Sequence, residues 1–158
     1  MAAINGNNFD NIESELIELF KQINSELPSQ VAELELAQSR SKEDGVGVTL
    51  KPRNHLSASA WGHAWNNVGR IHFGFGEYSP AWELPDEGEN PNADKAEILR
   101  EVGEMCRAVI HGFCEHQRRL MGITARLKIR GKARTVTDLL IFWPSPPLRG
   151  TRRYLPWD

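Results

Sequence analysis

The chain has 158 residues, 40% apolar and 25% charged, which sets an expectation of one globular domain that needs no metal or disulfide staple to fold. No apolar run approaches the ~18 residues of a membrane span, residues 1–8 carry neither a basic nor an apolar leader region, and Cys106 and Cys114 form no CxxC pair, so a reduced, cytoplasmic protein with no membrane partner is expected. The net charge of −2 is unevenly spread: residues 1–117 hold nine Lys/Arg against 19 Asp/Glu, and residues 118–158 hold ten against only Asp138 and Asp158. Such asymmetry either steers a charged partner or is neutralised within the fold, half against half.

Phe9, Ile12, Leu16, Leu19, Phe20, Ile23 and Leu27 recur at steps of three and four, within roughly a 100° arc of a helical wheel. They predict an amphipathic helix over 10–27, capped by Asp10 and stopped by Pro28. Residues 30–37 alternate Glu33 and Glu35 with Ala32, Leu34 and Leu36, and the run GVGVTLK at 45–51 alternates as well. An antiparallel hairpin between these two runs is preferred over a helix.

A second hairpin is predicted over 57–76. With Asn66-Asn67 as a two-residue type I′ loop, Trp65 would pair with Val68, His63 with Arg70, Trp61 with His72 and Ala60 with Phe73. One face then carries small residues opposite Phe75, Phe73 and Ile71, which suits the core. The other collects Trp61, His63, Trp65, Arg70 and His72, to which Tyr78 and Trp82 are added as neighbours. Trp82-Glu83-Leu84 reads as a short strand.

After a polar loop at 86–93, Asn90-Pro91 opens a helix expected over about 94–120, with Asp94 and Glu97 in its first turn. Its stripe is Ile98, Val102, Met105, Val109, Phe113, His116 and Leu120, its end is set at Gly122, and Glu97, Glu101 and Glu104 face solvent. A last hairpin joins 123–129 to 133–143 about a turn at Gly131-Lys132, pairing Leu127 with Val136, Arg126 with Thr137 and Lys128 with Thr135. Asp138 would then point inward, so either a bulge lies there or the register is off by one. The tail, 144–158, is rich in proline and predicts an extended arm.

The domain therefore spans 9–143, between a flexible 1–8 and the arm. Its expected class is α+β, two-layer, with a mainly antiparallel sheet of five to six strands on two long helices, ordered α-β-β-β-β-α-β-β.

The five histidines include no HExxH and no set at ligand spacing, so no metal site and no cofactor are expected. His111 and Cys114 have no oxyanion partner, and Gly74-Phe75-Gly76 lacks the third glycine and the strand-to-helix context of a dinucleotide loop; no catalytic residues are assigned. Two surfaces remain. Trp61, His63, Trp65, Arg70, His72, Tyr78 and Trp82 are either a protein-binding patch of the residue types that dominate interface hot spots or a second core covered by Tyr154 to Trp157. Arg126, Lys128, Arg130, Lys132 and Arg134 are either a nucleic-acid patch or a site for an acidic protein.

The layout IESELIELFKQINSELP, VAELEL, GVGVTLKP, GRIHFGFGEYSPAWELP, EILREVGEMCRAVIHGFCE and a closing hairpin ending in LLIFW resembles the small immunity proteins of bacterial polymorphic-toxin and contact-dependent inhibition systems. The resemblance covers most of 9–143 and is one of layout; such families have no shared catalytic residues to carry over. It implies a non-enzymatic, cytoplasmic protein that binds one cognate toxin domain and neutralises it. Binding of nucleic acid through the basic hairpin is the alternative.

Overall fold

A computed structural model of the chain describes residues 11–37, 44–76, 80–85, 93–119, 122–139 and 150–157. Helix α1 (Ile12–Glu26) buries Ile12, Leu16, Phe20 and Ile23, the stripe its periodicity predicts. Asn11 precedes it at φ 69° without capping it through its side chain. The cap comes from elsewhere in the chain: Asn66 Oδ1 accepts from the Glu13 N–H at 3.1 Å, and the Glu13 carboxylate accepts from the Asn66 N–H at 3.0 Å. This reciprocal pair satisfies one of the helix's orphan donors and ties α1 to a strand turn. Asp10, the expected cap, lies outside the described residues.

Five antiparallel strands follow one another in space as in sequence: β1 (Ala32–Ala37), β2 (Val46–Pro52), β3 (Ala60–Trp65), β4 (Arg70–Phe75) and β5 (Trp82–Leu84). The preferred reading of 30–37 as a strand paired with 45–51 holds, with Leu34 opposite Leu50. On the inner face β3 contributes only Ala60, Gly62 and Ala64, all buried. Their small size lets α1 approach, and a Cβ at Gly62 would meet the Leu16 side chain at 3.3 Å. Ile71, Phe73 and Phe75 of β4 supply the bulk beside them.

The β3–β4 register differs from the expected one. Trp65 pairs with Arg70, His63 with His72 and Trp61 with Gly74, so the loop is the four residues Asn66 to Gly69 rather than Asn66-Asn67 alone. Gly69, at φ 66°, provides the left-handed residue, and its N–H donates to the Trp65 carbonyl at 3.0 Å. Asn66 is thereby released to cap α1. A two-residue shift preserves the alternation of faces, so the same side chains still share the outer face.

Helix α2 (Lys95–Ile110) starts with a capping box of Asp94 and Glu97 and ends ten residues before the expected limit. Gly112 takes φ 72°, its N–H donates to the Val109 carbonyl, and the Phe113 N–H donates to the Ala108 carbonyl at 2.9 Å. These two bonds form a Schellman motif, which glycine completes without steric cost. Phe113 is exposed, and His116 belongs to a strand instead of the helical stripe; Leu120 lies outside the described residues.

The second sheet is ordered β8-β7-β6-β9, from β6 (Cys114–Arg119), β7 (Gly122–Ile129), β8 (Lys132–Leu139) and β9 (Gly150–Arg153), again antiparallel. The β7–β8 turn is Arg130-Gly131, both at positive φ, one position before the expected Gly131-Lys132. Leu127 therefore faces Arg134, Ala125 faces Val136 and Arg126 faces Thr135. Asp138 pairs with Ile123 in an unbroken ladder and is exposed.

The fold is thus α+β, with two helices and nine strands among the described residues, in sheets of five and four instead of one sheet of five to six. One core cluster runs through both: α1 packs on β1, β2 and β3, while α2 touches β3, β4 and β7. The expected arm is corrected as well. Residues 150–153 add a strand to β6, and Tyr154 and Trp157 are buried in the core. The segment that precedes them, 140–149, lies outside the described residues.

Candidate binding face

The outer face of the five-stranded sheet is built from the strand positions that alternate with the core. Its central rows are Thr49, Trp61 and Gly74, then Gly47, His63, His72 and Glu83, then Trp65 and Arg70. Trp61, His63, Trp65, Arg70 and His72 come together as the sequence suggests, and all five are half-buried.

Two of the rings are seated on glycines. A Cβ at Gly74 would fall 2.2 Å from the Trp61 ring, and one at Gly45 would fall 2.6 Å from the Trp65 ring. Neither position, Gly74 in β4 or Gly45 just before β2, has room for a side chain beneath the indole. His63 stacks on Trp65 at 4.1 Å between centroids, and His72 meets Trp65 edge-on at 4.9 Å. The His63 Nε2–H donates to the Asp44 carbonyl at 2.7 Å, which fixes the ring's tautomer. Arg70 pairs with Glu83 across β4 and β5. The result is an aromatic face in which His63 and His72 meet Trp65, while the Trp61 and Trp65 indoles are held from below. Gly74→Ala is expected to displace the Trp61 indole at a cost of about 1 kcal/mol, read as a lower urea midpoint with an altered near-UV CD band.

Two further candidates do not belong to this layer. Trp82 pairs with Phe73 on the inner face, is buried and stacks on Phe75 at 6.0 Å. It is a core residue because β5 enters the sheet in the register that aligns Leu84 with Ile71. Tyr78 lies outside the described residues. Tyr154 and Trp157 do not cover the aromatic layer: Tyr154 packs against Phe75 and His116, and the Trp157 indole N–H donates to the Ala58 carbonyl at 3.0 Å.

The basic hairpin is placed against acid. Arg130 meets Glu104 at 2.5 Å, Arg134 pairs with Glu101, and Arg126 approaches Glu115 at 3.4 Å, which also holds Arg153 at 3.3 Å. Glu101 and Glu104 of α2, expected to face solvent, lie under the β7–β8 hairpin. Part of the charge asymmetry between the halves of the chain is therefore neutralised inside the fold. Lys128 and Lys132 remain exposed on the hairpin.

Both cysteine thiols and His116 are buried, whereas His111 and His55 are exposed. Burial pushes the thiols of Cys106 and Cys114 up to about 12, far from the thiolate a nucleophile needs. His116, inside the seam between the sheets, is lowered to about 4 by burial, with the Arg152 charge adding to the effect. Its Nδ1 lies 2.8 Å from the Tyr154 hydroxyl and its ring stacks on Phe75 at 4.4 Å. Among the described residues no group of three His, Cys, Asp or Glu is placed to hold a metal ion, and no helix is long and apolar enough to cross a membrane.

Among the described residues, the fold and this face define an α+β arrangement of two antiparallel sheets and two helices with an aromatic outer sheet surface. No protein-family model matches the chain, and no curated protein or solved structure matches it either.

Proposed function

We propose that this chain is a non-enzymatic binding module that docks a protein partner on the outer face of its five-stranded sheet, and that it serves as a cytoplasmic immunity protein, occupying a toxin domain. The observation that carries this reading is the layer formed by Trp61, His63, Trp65 and His72. The His63 and His72 rings both contact Trp65, and the Trp61 and Trp65 indoles rest on glycine backbone, so little side-chain freedom is left to lose on docking. Trp, Tyr and Arg supply most interface hot spots, and Arg70 stands at the end of the layer. The likeness of layout to immunity proteins supports the inhibitory role.

The test is growth rescue. The protein encoded beside this one is expressed with and without this chain, and colony counts are followed. Relief of toxicity supports the proposal and supplies the partner for calorimetry. Trp61→Ala and Trp65→Ala are then each expected to weaken binding by about 2 kcal/mol, roughly thirtyfold, with the unfolding transition retained. Unchanged affinity in both variants overturns the assignment of the face. A harmless neighbour, together with RNA or DNA binding that falls steeply with salt, transfers the assignment to Lys128, Lys132 and the hairpin. The ion pairs of Arg126, Arg130 and Arg134 with Glu115, Glu104 and Glu101 weigh against that outcome, since a nucleic acid would have to displace carboxylates already in place.

A further inference from the structure

Where β2, β3 and β4 run out, the outer face ends in a cavity of about 290 Å³. Lys51, Arg53 and Arg152 contribute three permanent cations to its lining, His55 adds an imidazole, and Ser59 and Gly76 lie between them. Among the described residues that line it there is no carboxylate. Lys51 reaches Glu35 at 3.6 Å outside the cavity, where both side chains are more than half exposed and the pair is weak. The Arg152 guanidinium rests over the Tyr154 ring at 5.1 Å.

The contrast with the cavity of about 420 Å³ on the second sheet is informative. Arg126, Lys128 and Arg153 line that cavity, but Glu115 lies among them and pairs with both arginines. One carboxylate thus stands among the three cations of that cavity, whereas among the described residues none lines the cavity beside Lys51.

The walls around Lys51, Arg53 and Arg152 are fixed by backbone bonds. The Arg53 N–H donates to the Val31 carbonyl at 3.0 Å, and the Gly76 N–H to the Ser59 carbonyl at 2.8 Å. Asn54 closes a turn by accepting from the Leu56 N–H on Oδ1, and the Leu155 N–H joins the terminal segment to Leu56 at 3.1 Å. Three chain segments therefore bring cations to one concave point.

We propose that this cavity binds a phosphate group, as the free anion or as the phosphate of a small phosphoester. Cations from the end of β2, from the following loop and from β9 line it together, and a phosphate presents several acceptor oxygens with a charge of about −1.5 to −2. Arginine guanidinium groups match such oxygens in pairs, with short charge-assisted hydrogen bonds. The volume lies at the small end of the roughly 300–1,000 Å³ typical of ligand sites, which suits a phosphate with a small attached group.

The test is calorimetry of the full chain at about 0.15 M salt, with inorganic phosphate, pyrophosphate and AMP as separate titrants. One-to-one binding of phosphate or pyrophosphate is expected, at least tenfold weaker in the double variant Arg53→Gln/Arg152→Gln and unchanged in Lys132→Ala. AMP binding more tightly than phosphate supports a phosphoester ligand, and phosphate or pyrophosphate binding as tightly as AMP supports the inorganic anion. Absence of heat with all three, or equal loss in Lys132→Ala, overturns the proposal. Backbone amide NMR shifts in the unaltered protein give a check that does not depend on the variants folding: pyrophosphate should move Arg53, Ser59 and Gly76, and silence at all three overturns the site. No protein partner enters either measurement, so this site stands or falls separately from the aromatic face.

Discussion

Trp157→Ala is expected to lower the unfolding free energy by about 3–5 kcal/mol, the range for truncating a large buried aromatic, read as a reduced urea midpoint. The indole is almost fully buried, and its Nε1–H donates to the Ala58 carbonyl at 3.0 Å. The backbone around it is held on both sides, by the Trp157 N–H to the Ile110 carbonyl at 2.9 Å and by Ser57 Oγ–H to the Pro156 carbonyl at 3.0 Å. The site cannot easily collapse, so the cavity term should be near its full size. Trp157→Phe keeps most of the apolar contact and loses the hydrogen bond, with an expected cost of about 1 kcal/mol. A Trp157→Ala midpoint equal to that of the unaltered protein would mean that the terminal segment is dispensable to the core.

That segment also marks where the sequence stops being legible. α1 is readable because seven apolar side chains repeat at helical spacing, and the aromatic face is readable because period-two alternation assigns faces regardless of register. The registers of the 57–76 and 123–143 hairpins differ from the expected ones by two residues, because the residues at positive φ are not those the local turn chemistry suggests: Gly69 is part of the first loop, and Arg130 rather than Lys132 accompanies Gly131. An even offset leaves faces intact, which is why Trp61, His63, Trp65, Arg70 and His72 still meet. Trp82 failed for a different reason: the face of a three-residue strand depends on its pairing with β4, and pairing is not a local property.

The end of α2 was hidden by coincidence. His116 continues the stripe of Ile98, Val102, Met105 and Val109 by helical count, and it also satisfies the alternation Cys114, His116 of a strand with one buried side. Only Gly112 distinguishes the two, and a single glycine within an apolar pattern is a weak stop signal. β9 gave no signal, because a four-residue exposed strand with two arginines does not look like one. The cavity beside Lys51 was beyond reach for the same reason, since Arg152 arrives there only through β9.

His116 makes the seam between the sheets sensitive to acid. Its ring is stacked on Phe75 of the first sheet, bonded to Tyr154 after β9, and paired across the ladder with Arg152 of the second. Burial first, and the Arg152 charge second, lower it from the ordinary 6.5 to about 4. At pH 7 the imidazole is neutral in both folded and unfolded chains, and its full stabilising effect is present. As the pH falls through 6.5 the unfolded chain takes up a proton that the folded one refuses, so stability declines until about pH 4, where both are protonated. At about 1.4 kcal/mol per pH unit between those values, the loss is on the order of 3 kcal/mol when complete. His116→Phe, which retains stacking on Phe75 and forgoes the bond to Tyr154, is expected to be less stable at pH 7 but flatter between pH 5 and 6.5. That interval lies above ordinary carboxylate titration, and the other four histidines are common to both proteins, so the difference between their urea midpoints across it reports His116. Parallel pH profiles for the two proteins would show that the seam holds His116 equally well with its charge, and that the Arg152 neighbour does not oppose protonation.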